Sequence, residues 1–265
     1  MGDAMITGET GAEPVLLEER DGSVVVLTLN EPAKRHALTP ALRIALADAI
    51  ERIERDPQIR AVVLTGGPKV FSAGGDISAM QVDGLAAGRE RFRLLHGIVR
   101  SIVKSSKPYV AAVEGAAAGA GFSLALCCDT IVAGAGSRFI ASFPKVGLVA
   151  DAGLLLTLPA RVGIGRARQI LLYAEPVQAD AAERMGLVDQ VVPDGTALER
   201  AIARARAFEA LAPLSTAVAK EALAGQLDAV LDWERSTQAA LFQTNDHAEG
   251  KAAFFEKRPP IFQGR

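Results

Sequence analysis

The chain reads as an α/β protein with a largely parallel sheet. Three observations predict this. Short apolar runs without alternation, such as AVVLT at 61–65 and YVAAV at 109–113, fit strands covered on both faces. Longer stretches with helical apolar spacing stand between them. The last part of the chain, after about residue 197, carries no strand pattern.

The elements follow in order. VLLEERDGSVVVLTLN (15–30) reads as a hairpin around the turn at Asp21-Gly22. Residues 40–57 predict a helix with Leu42, Ile44, Leu46, Ile50 and Ile53 on its apolar spacing, Thr39 as N-cap and Pro40 in the first turn. FSAGGDISAM (71–80) reads as a glycine turn leading into a helix, and 87–105 as a basic helix. A buried strand at 109–115 runs into the small, uncharged stretch GAAAGAGFSLALCCD (115–129), whose later part begins another helix. TIVAG and SRFIAS are strands, and helices dominate from Ala152 onward. The organisation expected is a loose tail at 1–13, an α/β core at 14–196 and a helical region at 197–265.

With 265 residues, 49% hydrophobic and 23% charged, the chain can bury a large core and is no disordered segment. A formal net charge of -2 argues against a nucleic-acid partner and against a membrane-surface protein. The N-terminal stretch MGDAMITGETGAEP lacks the apolar core of a signal peptide, so the cytoplasm is the expected location. The two cysteines, Cys127 and Cys128, are adjacent and read as buried thiols. The three histidines are scattered without ligand spacing, so no metal is expected.

Strand, glycine turn and helix occur in that order twice, at 61–78 and 109–126. Helix starts expose free N–H groups, and small residues there let a ligand oxygen approach. Neither turn is a Walker loop, and the second does not fit the dinucleotide fingerprint. Two such turns, each giving one N–H, form an oxyanion hole; close helix–sheet packing is the alternative reading.

FSAGGDIS, KPYVAAVEGAAAGAGFSLALCCDTIVA, FPKVGLVADAGLLLTLPARVGIGRAR, AERMGLVDQVV and EGKAAFFEKRPPIF, in this order and spacing, resemble the crotonase superfamily, the enoyl-CoA hydratases and isomerases. LNEPAKRHAL is similar to that family's opening motif. The resemblance implies a crotonase-like spiral of ββα units, a C-terminal helical trimerisation region, and a homotrimer or a hexamer built as a dimer of trimers. It implies acyl-coenzyme A thioesters as substrates and no further cofactor. By position, the oxyanion donors fall on the N–H groups of Gly75 and Ala120. Lys34 and Arg35, with Ala37 and Ala73, fall where relatives hold the nucleotide part of coenzyme A. Phe254 and Lys257 match positions that reach the coenzyme A of a neighbouring site. His36, in place of the usual asparagine, is expected to be structural.

The two catalytic glutamates of the family's hydratases fall here on Ser123 and Phe143. One acid stands nearby, Asp151, where most relatives have glycine. It is similar in position to an aspartate of isomerases in this superfamily that act on an epoxide-CoA, where it shuttles a proton. A lone carboxylate can take the C2 proton of a β,γ-unsaturated thioester and return it at C4, with Phe143 and Leu148 as apolar walls. The competing reading of Asp151 is a helix N-cap. His96 matches a water-activating histidine of dehalogenase-like members, but is expected to line the pocket or to be structural. Three functions follow: a Δ3,Δ2-type enoyl-CoA isomerase, a hydrolytic acyl-CoA enzyme using Asp151 and His96, or a non-catalytic acyl-CoA-binding member.

A serine has no useful basicity near neutral pH and a phenylalanine has none. Hydration of crotonyl-CoA by the purified protein is therefore expected at least about 100-fold below that of a two-glutamate hydratase. Comparable rates, with host hydratase excluded, would contradict the assignment of those two positions.

Overall fold

The computed structural model describes residues 13–80 and 82–265; most of the expected N-terminal tail lies outside them. In chain order the strands are β1 (Leu16–Asp21), β2 (Val24–Leu29), β3 (Ala61–Thr65), β4 (Tyr109–Val113), β5 (Ala116–Ala118), β6 (Thr130–Gly134), β7 (Arg138–Ile140), β8 (Val177–Gln178) and β9 (Gln190–Val192). The helices are α1 (Pro40–Arg55), α2 (Gly84–Val103), α3 (Ala120–Cys127), α4 (Leu154–Tyr173), α5 (Ala179–Arg184), α6 (Ala197–Arg206), α7 (Pro213–Leu223), α8 (Leu227–Leu241) and α9 (Asn245–Glu256).

One sheet has the order β1-β2-β3-β4-β6-β9, with β1 antiparallel and every other pairing parallel. A small second sheet, β5-β7-β8, lies beside it. The unbroken apolar runs have a direct cause. Val24, Val26, Val63, Val110 and Ala112 point to one face, where α6 lays Ala197, Ala201 and Ala205 against them. Their neighbours Val25, Leu27, Val62, Leu64 and Ala111 point to the other, into the main core with Leu42, Ile50 and Phe92 of α1 and α2. Period-2 alternation is hidden because both faces are dry. Each fully buried Val, Leu, Ile or Phe among them contributes about 1.5–3 kcal/mol by burial. The alanines of α6 recur every four residues, so one small stripe meets the sheet.

The hairpin, the parallel strands and the N-terminus of α1 stand where the sequence puts them. Three local readings change. Residues 77–79 form only a single 3-10 turn, with Asp76 accepting from Ser78 N, and the next helix begins at Gly84. The segment before it is held extended by bridges Leu38↔Gly75 and Ser72↔Ala117, so it cannot wind into a helix at that point. Strands β5, β8 and β9 are two or three residues long, too short for a period to register. Ile44 is 54% exposed while Arg43 is buried, because a residue two along from Leu42 lies across the helix. The helices after 197 are continuous with the core: α6 covers the sheet, and α8 sends Leu227 and Leu231 into the main core. Among the described residues, no helix is long and apolar enough to cross a membrane.

Thr39 caps α1: its Oγ1 accepts from Leu42 N at 3.2 Å and donates to Glu31 Oε1 at 2.8 Å. Thr39→Ala is expected to lower unfolding stability by about 1 kcal/mol, with Thr39→Ser retaining most of it. The denaturation midpoints of the three proteins check this.

Candidate active site

Two stretches of backbone cross at the heart of the molecule. Residues 71–76 run extended over 115–121. Ala118 N donates to Ser72 O at 2.9 Å, and Phe71 N and Ser72 N both donate to Ala116 O at 3.1 Å. A Cβ at Gly115 would stand 2.2 Å from Lys69 O, and one at Gly121 2.6 Å from Ser72 Cβ. At Gly74, where φ is +96°, it would stand 2.5 Å from Ala118 O and 3.0 Å from Ala120 N. Glycine is needed at these crossings because nothing larger fits between the chains.

The crossing leaves two amides spare. Neither Gly75 N nor Ala120 N has an acceptor among the described residues. Ala120 opens α3, after Gly119 in a conformation (φ 50°, ψ −129°) that an L-residue with a side chain resists. Its N–H is one of the helix's orphan donors. Both residues line a cavity of about 720 Å³. The small residues thus divide their work: Gly115 and Gly121 serve packing, whereas Gly119 and Ala120 face the cavity.

Asp151 lines the same cavity, with Phe143 and Leu148. It is only 7% exposed. Its Oδ2 accepts from Gln238 Nε2 at 3.3 Å, while its Oδ1 is buried without a partner among the described residues. Burial pushes the carboxyl well above the ordinary aspartate range, and the nearby Glu234 carboxylate adds to this; Arg43, the Gln238 amide and Arg91 pull the other way. Such a group holds a proton readily and gives it up to a good partner.

The helix-cap reading of Asp151 does not hold. The residue before α4 is Gly153, left-handed at φ 77°, and the free N–H groups at that end are met by a different acid. Glu234 Oε1 accepts from Ala152 N at 2.5 Å, and Oε2 from Gly153 N at 3.0 Å. Asp151 contributes there only its backbone carbonyl, to Leu154 N at 3.2 Å.

His96 does not line the pocket. It is 2% exposed, and its Nε2 lies 2.8 Å from Glu234 Oε1. A carboxylate accepts, so Nε2 carries the hydrogen. Ser123 is fully buried below the crossing, with its hydroxyl 3.4 Å from Gly119 O, and is absent from the cavity wall. His36 is structural as expected: its Nδ1 accepts from Glu31 N at 3.0 Å, and its carbonyl accepts from Ser72 Oγ at 2.7 Å.

Ala73 and Phe254 join the wall, whereas Lys34, Arg35, Ala37 and Lys257 do not. Lys34 Nζ sits 2.9 Å from Asp76 Oδ2, and the Arg35 carbonyl holds Ala73 N at 2.9 Å. Lys257 closes α9 in a left-handed conformation at φ 53°. The sequence reading missed the outer wall. Arg258, Pro260 and Phe262 line it, because Asp246 folds the chain end back by accepting from Gln263 N at 2.7 Å and Gly264 N at 2.8 Å. It also missed Glu234 and Gln238. They continue the buried stripe of Leu227 and Leu231 on α8, so two polar residues on an apolar stripe were the available sign.

The fold is that of the crotonases. It superposes on an enoyl-CoA hydratase from Mycobacterium avium subsp. paratuberculosis with a TM-score of 0.85 at 30% identity, covering 94% of this chain and 98% of that one. The family model for enoyl-CoA hydratase/isomerase matches residues 19–265, and the chain belongs to this family of acyl-CoA enzymes. It is 34% identical to a 1,2-epoxyphenylacetyl-CoA isomerase of Escherichia coli over 94% of this chain and 98% of that protein. It is 37% identical to a 2,3-dehydroadipyl-CoA hydratase of the same organism, over 94% and 99%.

A side chain at Gly74 would push against Ala118 O and Ala120 N, so for a reaction that uses both free amides Gly74→Ala is expected to lower kcat about 10- to 100-fold. Gly67→Ala is the control: φ is +77° there too, but nothing lies within 4 Å of the added Cβ. That variant is expected to lose stability through backbone strain and keep its kcat. Steady-state kinetics and thermal melts of both distinguish the effects.

Proposed function

We propose that the protein is a Δ3,Δ2-type enoyl-CoA isomerase in which Asp151 is the one proton carrier. The observation that carries this is a buried carboxylate with an oxygen that has no partner among the described residues, on the wall of a cavity that two amides, unpaired among those residues, also face. The thioester oxygen accepts from Gly75 N and Ala120 N. The Asp151 carboxylate takes the C2 proton, and the electron pair of that C–H bond moves into the thioester to give a dienolate. The two N–H groups stabilise the new negative charge, and fixed donors of this kind commonly lower such a barrier more than any other single effect. The protonated Asp151 then returns the proton to C4; the C2=C3 double bond forms and the thioester carbonyl is restored. No water takes part, and the Phe143 and Leu148 side chains keep the site dry.

Ala73, with Lys34, Arg35 and Ala37 beyond the cavity, is proposed to hold the nucleotide end of coenzyme A. Phe254 and Lys257 are proposed to touch the coenzyme A chain, in a trimer or a dimer of trimers. The pairing of His96 with Glu234, away from the cavity, supports isomerisation over hydrolysis, because the hydrolytic reading needs that imidazole to activate water. The unsatisfied oxygen of Asp151 supports a catalytic over a purely binding role.

Asp151→Asn is expected to cost about 100- to 10,000-fold in conversion of 3-enoyl-CoA to 2-enoyl-CoA, with acyl-CoA binding nearly unchanged. His96→Gln is expected to cost far less, since glutamine still donates to Glu234. The carboxylate is the active form, so the wild-type rate rises with pH and is lost on the acid side well above the 3.8 of an ordinary aspartate. Near-full activity in Asp151→Asn, or equal losses in the two variants, would overturn the reading.

A further inference from the structure

Glu234 is a carboxylate with no exposed surface, on the core face of α8. A buried charge is costly unless it is fully hydrogen-bonded, and an apolar residue on that stripe would pack without the cost. Here it accepts three hydrogen bonds: from His96 Nε2 at 2.8 Å, from Ala152 N at 2.5 Å and from Gly153 N at 3.0 Å. The two amides belong to a left-handed pair, with φ 53° at Ala152 and 77° at Gly153. A non-glycine residue in that region is strained and persists only where neighbours hold it. That pair directly follows Asp151. One turn further along α8, Gln238 grips the residues before it, accepting from Val149 N at 3.3 Å and donating to Val149 O at 2.8 Å.

We propose that Glu234 is a positioning residue for the reaction: by holding Ala152 N and Gly153 N it fixes the direction in which Asp151 presents its free oxygen to the acyl group. His96 acts behind it, as the donor that keeps Glu234 in place. The proposal rests on reading Asp151 as the proton carrier. Glu234 also acts by charge. The groups that face Asp151 are Arg43 from α1, Arg91 from α2, and Glu234 and Gln238 from α8, with His96 of α2 behind Glu234. Glu234 is the one negative charge among them, and it opposes the two arginines.

The test measures Asp151 and the reaction separately. The pH titration of the Asp151 carboxyl band is followed by difference infrared spectroscopy, with Asp151→Asn as the blank. kcat and KM are measured on 3-enoyl-CoA. Glu234→Gln is expected to lower kcat about 10-fold or more with KM little changed, and to move the Asp151 midpoint down by about one pH unit or more. Glu234→Asp keeps the charge but falls short of the two amides. It is expected to lower kcat similarly while the midpoint stays high. A merely structural glutamate would reduce stability and the active fraction and leave the midpoint alone. Unchanged kcat and midpoint in Glu234→Gln would overturn the proposal. If that variant does not fold, unchanged kcat in Glu234→Asp does so. If instead Asp151→Asn keeps its activity, the isomerase reading fails, while the infrared midpoint still reports whether Glu234 governs Asp151.

Discussion

The contact on which the site depends is the crossing of two backbones at Gly74 and Ala118. A Cβ at Gly74 would come within 2.5 Å of Ala118 O, so this approach exists only because residue 74 has no side chain. The crossing joins the extended segment 71–76 to β5 of the small sheet and to the start of α3. Its chemical consequence follows from geometry. Backbone amides that would otherwise be paired in a ladder are left at the edge of the crossing, where Gly75 and Ala120 face the cavity. In the proposed reaction, donors fixed this way need no reorganisation when charge develops in front of them.

The second feature is a buried carboxyl, Asp151, on the wall of the same cavity. Several effects act on Asp151 in opposite directions. Desolvation is the strongest and raises its proton affinity, and Glu234 reinforces it; Arg43, Gln238 and Arg91 oppose them. Desolvation prevails, because among the described residues no cation comes close enough to Asp151 for an ion pair, and only the long 3.3 Å bond from Gln238 reaches it. The arginines are themselves costly to bury, and desolvation brings Arg43 down to about 10. The result is an acid that can both take and release a proton near neutral pH.

Much of this was legible in the chain. The parallel strands, the α1 cap at Thr39 and the two glycine turns came from local rules of period, capping and small-residue density. Gly75, Ala120, Phe143, Leu148 and Asp151 came from motif order, and the structure gathers all five around one cavity. What escaped depends on long-range contact. Whether Asp151 capped α4 could not be read from its position before AGLLLTLPA, because the competing acid, Glu234, lies 83 residues further on, in α8. His96 has the right position to reach a pocket, but its helix turns it toward that same glutamate. The helix expected after Gly75 is absent because Leu38, far upstream, pairs with Gly75 and keeps the segment extended. Periodicity gives the face of an element and not the partner it meets.

In the proposed reaction one carboxylate oxygen of Asp151 and the two amides of Gly75 and Ala120 address the same acyl group. A crystal structure of Asp151→Asn with a bound 3-enoyl-CoA tests it most directly. The thioester oxygen is expected within about 3 Å of both Gly75 N and Ala120 N, and C2 and C4 on the side of the chain that faces residue 151. A thioester bound elsewhere, or an acyl chain with C2 turned away from residue 151 while the amides remain empty, would contradict it.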